Sequence, residues 1–366
     1  MADPVVLVTG AGGFVGSRVV EAIASTDPSR VRAGLRTWAN ASRICRLSVD
    51  TALCDITDPA QTAEATKGAA GVVHCAYGDS RELIVEGTRT MLRAAVDAGA
   101  RRFVYISSAE VYGREVSGRI HEDVPRAPEP DTYGAWKAEA EDVVREFQNG
   151  GLSTAILRPS IIYGPFGQSW TVRVAARLQS GNWGRFEEMA DGTCNLVYVD
   201  DLVRCILLAL ERNEADGGVF NVVGPDRPTW NDYFTRFNDV LGLAPLQSLS
   251  KQRSARRAAL RDAAQGLISP AVRRFHPRLM RIYLKGGLPA KVMKAVQTRL
   301  KTTVSRRDQN LYSRRAEFVT DAVERVLGFH AAVDLDTGLA RCREWLEFSG
   351  YVESSDLLAL PGGGAA

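Results

Sequence analysis

The segment that most limits what this chain can fold into is its opening one. Four apolar residues, Val5, Val6, Leu7 and Val8, run into Thr9, Gly10, Ala11, Gly12, Gly13, Phe14, Val15 and Gly16, after which apolar residues recur at helical spacing. A short apolar run closed by glycines and followed by a helical period reads as a strand turning tightly into a helix. Gly10, Gly13 and Gly16 are spaced three apart. A Cβ there would obstruct an anion resting on the helix N-terminus, where unpaired N–H groups and the helix dipole favour negative charge. The expected ligand of Gly10, Gly13, Phe14, Val15 and Gly16 is the pyrophosphate of a dinucleotide.

The same rhythm repeats. Apolar runs at 31–35, 52–54, 71–74 and 103–106 read as buried strands, each followed by a segment of helical period, and a helix over 132–148 leads to a sixth strand at 154–157. This alternation predicts an α/β fold with a doubly wound parallel Rossmann sheet. Beyond Arg158 the rhythm breaks into helices at 200–211, 230–241 and 314–327, with one strand at 219–223 returning to the sheet. The predicted organisation is an NAD(P)-binding domain over 1–165 with a returning strand near 218–224. A smaller, interleaved and mainly helical C-terminal substrate domain follows over 166–360, containing a basic insert at 246–307, and 361–366 form a flexible tail.

Composition narrows the class. Of 366 residues, 45% are apolar and 24% charged, the balance of a soluble globular protein. No apolar run approaches the roughly 18 to 20 residues of a spanning helix, and the N-terminus reads as a strand, not a signal sequence. Cys45, Cys54, Cys75, Cys194, Cys205 and Cys342 lie far apart without C-x-x-C spacing, which predicts neither a zinc knuckle nor a disulfide framework and places the protein in a reducing cytoplasm. His74, His121, His276 and His330 are isolated from acids at ligand spacing, so no metal is expected. The net charge of +3 conceals an asymmetry: 251–307 holds 16 Lys and Arg against a single acid, Asp262. That insert has three readings: a solvated basic cap, a lid for an anionic substrate, or a peripheral contact with an anionic membrane. Nucleic acid is not expected, because no aromatic-interleaved or recognition-helix pattern accompanies the charge.

Two further positions concern the dinucleotide. An acid at the end of the second strand would bind the ribose hydroxyls of NAD, whereas Arg36 stands there and suits the extra phosphate of NADP. NADP(H) is the expected cofactor, with NAD the alternative. Asp55 and Ile56, closing the third strand, are placed for the adenine.

Tyr133 and Lys137 are four apart and share one face of the predicted helix. A phenol is a poor base at neutral pH, and a neighbouring ammonium favours its ionised form. Ser108, at the end of the fifth strand, is placed to hydrogen-bond a reacting oxygen.

Together these motifs resemble the extended short-chain dehydrogenase/reductase family, the NAD-dependent epimerase/dehydratase type. The resemblance rests on the glycine turn, on Val73, His74, Cys75 and Ala76, on Ser107 to Gly113 with Tyr133 and Lys137, and on Arg158 to Pro165. It implies hydride exchange at a secondary alcohol or ketone carbon. Tyr133 is then acid/base, Lys137 holds the ribose and tunes Tyr133, and Ser108 orients the substrate oxygen. Cys75, Ala76 and Pro159 line the cofactor.

Departures limit the substrate. The position of the dehydratase Asp is Ala109, with Glu110 kept, which disfavours dehydration. Cys194, Asn195 and Leu196 stand where many nucleotide-sugar enzymes carry an Arg-Asp pair, and Ile84 replaces the family's Asn. The leading expectation is an NADP(H)-dependent oxidoreductase acting on a nucleotide sugar. Its rivals are a 4-epimerase, an alcohol dehydrogenase of the sterol or phenylpropanoid sort, and a non-catalytic NADP sensor. The expected partners are a small anionic substrate and a second copy of the chain.

Overall fold

The computed structural model describes residues 5–250 and 303–352. Most of the basic insert and all of the tail at 361–366 lie outside the described residues. The chain divides into two compact units: Met1–Gly164 with Asn195–Arg227 and Ala316–Asp334, and Pro165–Cys194 with Pro228–Arg315 and Leu335–Ala366.

The first unit is built on strands β1 (Val5–Thr9), β2 (Val31–Leu35), β3 (Asp50–Leu53), β4 (Ala69–His74) and β5 (Arg102–Ile106), joined by Thr154–Pro159 and Gly218–Val222. All seven pair in parallel, in the spatial order Gly218–Val222, Thr154–Pro159, β5, β4, β1, β2, β3. Central strands of a parallel sheet are covered on both faces and therefore read as continuous apolar runs. Leu7, Val8, Val72, Val73, Phe103 and Val104 are accordingly all fully buried. The edge strand departs from expectation: β3 begins at Asp50, and its side chains are largely exposed because it has a neighbour on one side only. The chain runs outward from β1 to β3 and then restarts at β4 on the other side of β1. The gap between β1 and β4 is thus the switch point at which such sheets bind ligands, beyond the strands' C-terminal ends.

Helices α1 (Phe14–Thr26), α2 (Pro59–Thr66), α3 (Gly87–Asp97) and α4 (Tyr133–Asn149) follow β1, β3, β4 and β5. Helix α1 buries Gly16, Val19, Val20, Ile23 and Ala24, one stripe at helical spacing. Thr132 caps α4 by accepting from the Ala135 N–H at 3.4 Å, which places Tyr133 at the first helical position. The helix expected over 314–327 is instead a strand, Ala316–Phe318, followed by a helix, Asp321–Leu327. Ala316 and Phe318 are buried and Glu317 is not, a period of two, and the strand pairs in parallel with Gly118–Ile120. The expected returning strand is present as Gly218–Val222 at the sheet edge.

The second unit contains helices Arg173–Gln179, Trp230–Val240, Arg306–Tyr312 and Leu335–Phe348. Its core is aromatic: Trp230 and Tyr312 lie 4.4 Å apart by ring centroid, with Phe234, Phe186 and Trp183 packed around them. Within it Arg177 is paired with Asp308 at 3.2 Å and lies over the Trp183 ring. Among the described residues, no helix is long and apolar enough to cross a membrane.

Candidate active site

The glycine turn is shaped by what its own backbone excludes. Gly10 has φ +65, and a Cβ on it would lie 2.8 Å from the Cys75 carbonyl oxygen and 2.9 Å from Ala76. A Cβ on Gly16 would lie 2.3 Å from the Gly10 carbonyl oxygen. The turn is therefore folded hard against the end of β4, and Gly10, Cys75 and Ala76 come together. Gly13 is exposed and is the N-cap of α1, with no side-chain cap and no acid in the first turn of the helix. Uncapped N–H groups at an open helix N-terminus fit a pyrophosphate. Phe14 and Val15 begin α1 half-buried.

Behind the turn runs a chain of hydrogen bonds. The Thr88 hydroxyl donates to the Ile84 carbonyl at 2.5 Å, which leaves its oxygen to accept from His74 Nε2–H at 3.2 Å. Nδ1 of His74 is then the acceptor for the Thr9 hydroxyl at 2.8 Å, and Thr9 Oγ1 accepts from the Ala76 N–H at 3.3 Å. Burial pushes His74 down to about 3, with the Lys137 charge adding to the effect, so the ring is neutral. His74 is a strut between β1, β4 and α3, not a ligand.

At the next strand end the residues of the expected chemistry converge. Ser108 follows β5 and its hydroxyl accepts from the Glu110 N–H at 3.2 Å. Gly134 lets the start of α4 approach this turn, since a Cβ there would meet the Glu110 carbonyl oxygen at 2.4 Å. Lys137, 4% exposed, donates from Nζ to the Ile106 carbonyl at 2.7 Å, and its nitrogen lies 6.0 Å from the centre of the Tyr133 ring. Burial pushes this ammonium down to about 8. The Tyr133 phenol is held above its ordinary value, chiefly by burial, with Tyr77 adding to the rise and the Ser108 hydroxyl opposing it. The spacing of Tyr133 and Lys137 predicts a phenol lowered by the ammonium. Here Lys137 donates to the Ile106 carbonyl, and burial raises the phenol instead. The Tyr77 ring packs 5.5 Å from that of Tyr133 and is 71% exposed.

The remaining expected residues lie on the same sheet edge. Pro159 ends the strand beside β5 and is buried. Arg36 is exposed immediately after β2. Asp55 uses Oδ1 to accept from both the N–H and the hydroxyl of Thr57, at 3.0 and 2.8 Å, as a turn former does. Ile56 is 7% exposed, and it stands where a Cβ on Gly87 would fall 2.6 Å from its Cδ1.

Sequence reasoning missed the support beneath Ser108. Glu141, fully buried, accepts from Arg158 Nε at 2.9 Å, from Arg158 Nη2 at 2.7 Å and from the Ser107 hydroxyl at 2.6 Å. Arg158 also donates to Tyr112 Oη at 2.8 Å, which in turn donates to Asn221 Oδ1 at 2.7 Å. The available signal was spacing: Tyr133, Lys137 and Glu141 recur every four residues, so one helix face carries all three.

The model of the NAD dependent epimerase/dehydratase family matches residues 6–223. The sterol demethylase protein B of Methylococcus capsulatus is 30% identical over 287 residues, covering 74% of this chain and 83% of the relative. The UDP-glucose 4-epimerase of Vibrio cholerae is 27% identical over 257 residues, 62% of this chain and 77% of the relative. Among solved structures, UDP-glucose 4-epimerase of Thermotoga maritima with UDP-glucose superposes with a TM-score of 0.70 at 20% identity, covering 94% of this chain and 99% of that one, a likeness of fold alone. With its family model spanning the Rossmann sheet from β1 to the returning strand, this chain belongs to the NAD-dependent epimerase/dehydratase family of extended short-chain dehydrogenases/reductases and is an NAD(P)-dependent enzyme.

Proposed function

We propose that the protein is an NADP(H)-dependent oxidoreductase that exchanges hydride at a secondary alcohol or ketone carbon of a ring-bearing substrate. The observation that carries this reading is the convergence of Ser108, Tyr133 and Lys137 at the end of β5, on the same sheet edge as the open N-terminus of α1. The bound nicotinamide cofactor supplies or accepts the hydride. Gly10, Gly13, Phe14, Val15 and Gly16 hold its pyrophosphate, with Cys75, Ala76 and Pro159 along its length, and Arg36 reads its adenosine end. Tyr133 moves the proton at the substrate oxygen, Ser108 orients that oxygen, and Lys137 holds the ribose. A phenol kept above its ordinary value is protonated at neutral pH, which suits proton donation and hence ketone reduction.

Two substrate classes fit a ring alcohol. The nucleotide-sugar reading draws on the likeness to the UDP-glucose 4-epimerases. A sterol-like alcohol is favoured by a specific observation. Cys194 is fully buried, and the Asn195 amide is taken up by the Ala316 carbonyl at 2.8 Å and the Phe318 N–H at 3.2 Å, so neither offers a charge to a diphosphate. The likeness to the sterol demethylase protein supports it.

The test is Tyr133→Phe, assayed with NADPH or NADP against UDP-glucose and a 3β-hydroxysteroid with its ketone. Turnover should fall by a factor on the order of a hundred or more while NADPH affinity is kept, because one proton-transferring oxygen and little volume is lost. Wild-type turnover in the variant would overturn the assignment.

A further inference from the structure

We propose that Trp38 is the stacking platform for the adenine of the cofactor, a role that rests on the dinucleotide reading above and adds an aromatic contact to it. Three observations bear on Trp38. Its indole is 57% exposed, one of the few large apolar side chains left open on the described surface. Among the described residues no ring contact, hydrogen bond or ion pair engages that indole. The backbone carrying it is nevertheless fixed: the Thr37 N–H and hydroxyl both donate to Asn40 Oδ1, at 3.2 and 2.9 Å, and the Asn40 N–H returns to the Thr37 carbonyl at 3.0 Å.

That fixed segment is packed directly on the phosphate turn. A Cβ on Gly12 would lie 2.1 Å from the Asn40 carbonyl oxygen, and the Ala11 N–H donates to Gly34 at the end of β2 at 3.2 Å. With the pyrophosphate on the N-terminus of α1, the adenosine ribose falls at the end of β2, beside Arg36. Trp38 is two residues further on, so the base attached to that ribose lies within reach of its indole. An indole left in water forfeits the burial that an aromatic side chain ordinarily contributes. Stacking on a purine would recover it and is tolerant of small shifts in position. Arg36 and Trp38 then divide the adenosine between them, the guanidinium taking the ribose 2′ substituent and the indole the base.

Half-cofactors separate this role from a general loss of binding. Affinities of wild type, Trp38→Ala and Trp38→Phe are measured by calorimetry for NADPH, NADH, 2′,5′-ADP and reduced nicotinamide mononucleotide. Trp38→Ala should weaken NADPH, NADH and 2′,5′-ADP alike by about tenfold, leave the mononucleotide unchanged, and be largely rescued in Trp38→Phe. Binding of 2′,5′-ADP should also quench less tryptophan emission in Trp38→Phe than in wild type. Unchanged affinity for 2′,5′-ADP in Trp38→Ala, or an equal loss for the mononucleotide, overturns the platform. Failure of the NADP reading looks different: wild type would bind NADH as tightly as NADPH, while the Trp38 effect would persist in both. Since the indole is exposed, an unchanged thermal midpoint is expected for both variants and confirms that binding alone is being read.

Discussion

The two ends of the binding edge in the first unit are built on opposite principles. Around β1 and β2 the site is made by leaving atoms out: Gly10, Gly12 and Gly16 each stand where a Cβ would fall within 2.9 Å of backbone. Around β5 and Thr154–Pro159 it is made by burying charge: Lys137, Glu141 and Arg158 are at most 4% exposed, Arg158 donating directly to Glu141 and Lys137 to the Ile106 carbonyl. The first end tolerates no added side chain. The second tolerates no lost partner, since an ion left unpaired in low dielectric is far costlier than the pair.

The largest effect should therefore come from removing Glu141. Glu141→Ala leaves the Arg158 guanidinium buried without its carboxylate and frees the Ser107 hydroxyl, which should cost about 3 to 5 kcal/mol of stability. Urea unfolding monitored by circular dichroism measures it. The double replacement Glu141→Leu with Arg158→Met should recover a large part, because it removes both charges together. A single-variant cost below about 1 kcal/mol would break the contrast between the two ends, since such a value is typical of exposed pairs.

Lys137 sharpens the same contrast through pH. Its folded value, about 8, lies below its ordinary 10.5. Between those limits the unfolded chain holds a proton that the native chain has released, so the stability of the native state rises with pH there. Below about pH 8 the lysine is charged in both states and its burial cost, on the order of 3 kcal/mol, is fully present. Lys137→Met removes this titration. The stability of wild type relative to the variant should therefore improve from pH 8 towards pH 10.5, as chemical denaturation at several pH values would record. A constant difference would mean that Lys137 keeps its ordinary affinity for protons and is not desolvated.

The same division explains what could be read from the sequence. The glycine turn, the central strands and the helix carrying Tyr133 and Lys137 were legible because each is specified by residues within about one turn of one another. The network of Glu141, Arg158, Tyr112 and Asn221 was not, because its partners are separated by as many as 109 positions and only the fold brings them together. The segment 314–327 misled for a related reason. Val319, Ala322, Val323, Val326 and Leu327 recur at helical spacing and extend the expected helix back over Ala316 and Phe318, but those two alternate with Glu317, and pairing with Gly118–Ile120 decides their conformation.

The smallest expected effect lies at the glycine-built end and tests it from outside. Arg36 is exposed beyond β2, so its replacement should leave stability within about 0.5 kcal/mol. Its effect should fall on cofactor choice. Wild type should bind NADPH more tightly than NADH, and Arg36→Ala should narrow that gap by roughly tenfold, the lower range of a charge-assisted contact of about 1.5 to 3 kcal/mol. The preference should also weaken as salt is added, because an exposed guanidinium and a phosphate are screened beyond about 10 Å at 0.1 M ionic strength. Fluorescence titration of both reduced cofactors at two salt concentrations measures all three quantities. Equal affinities in wild type would sink the NADP preference and favour a tightly held NAD that returns its hydride to the same substrate, as an epimerase requires. A preference that survived Arg36→Ala intact would instead assign the 2′-phosphate to another cation, leaving the glycine turn and Trp38 to account for the adenosine half.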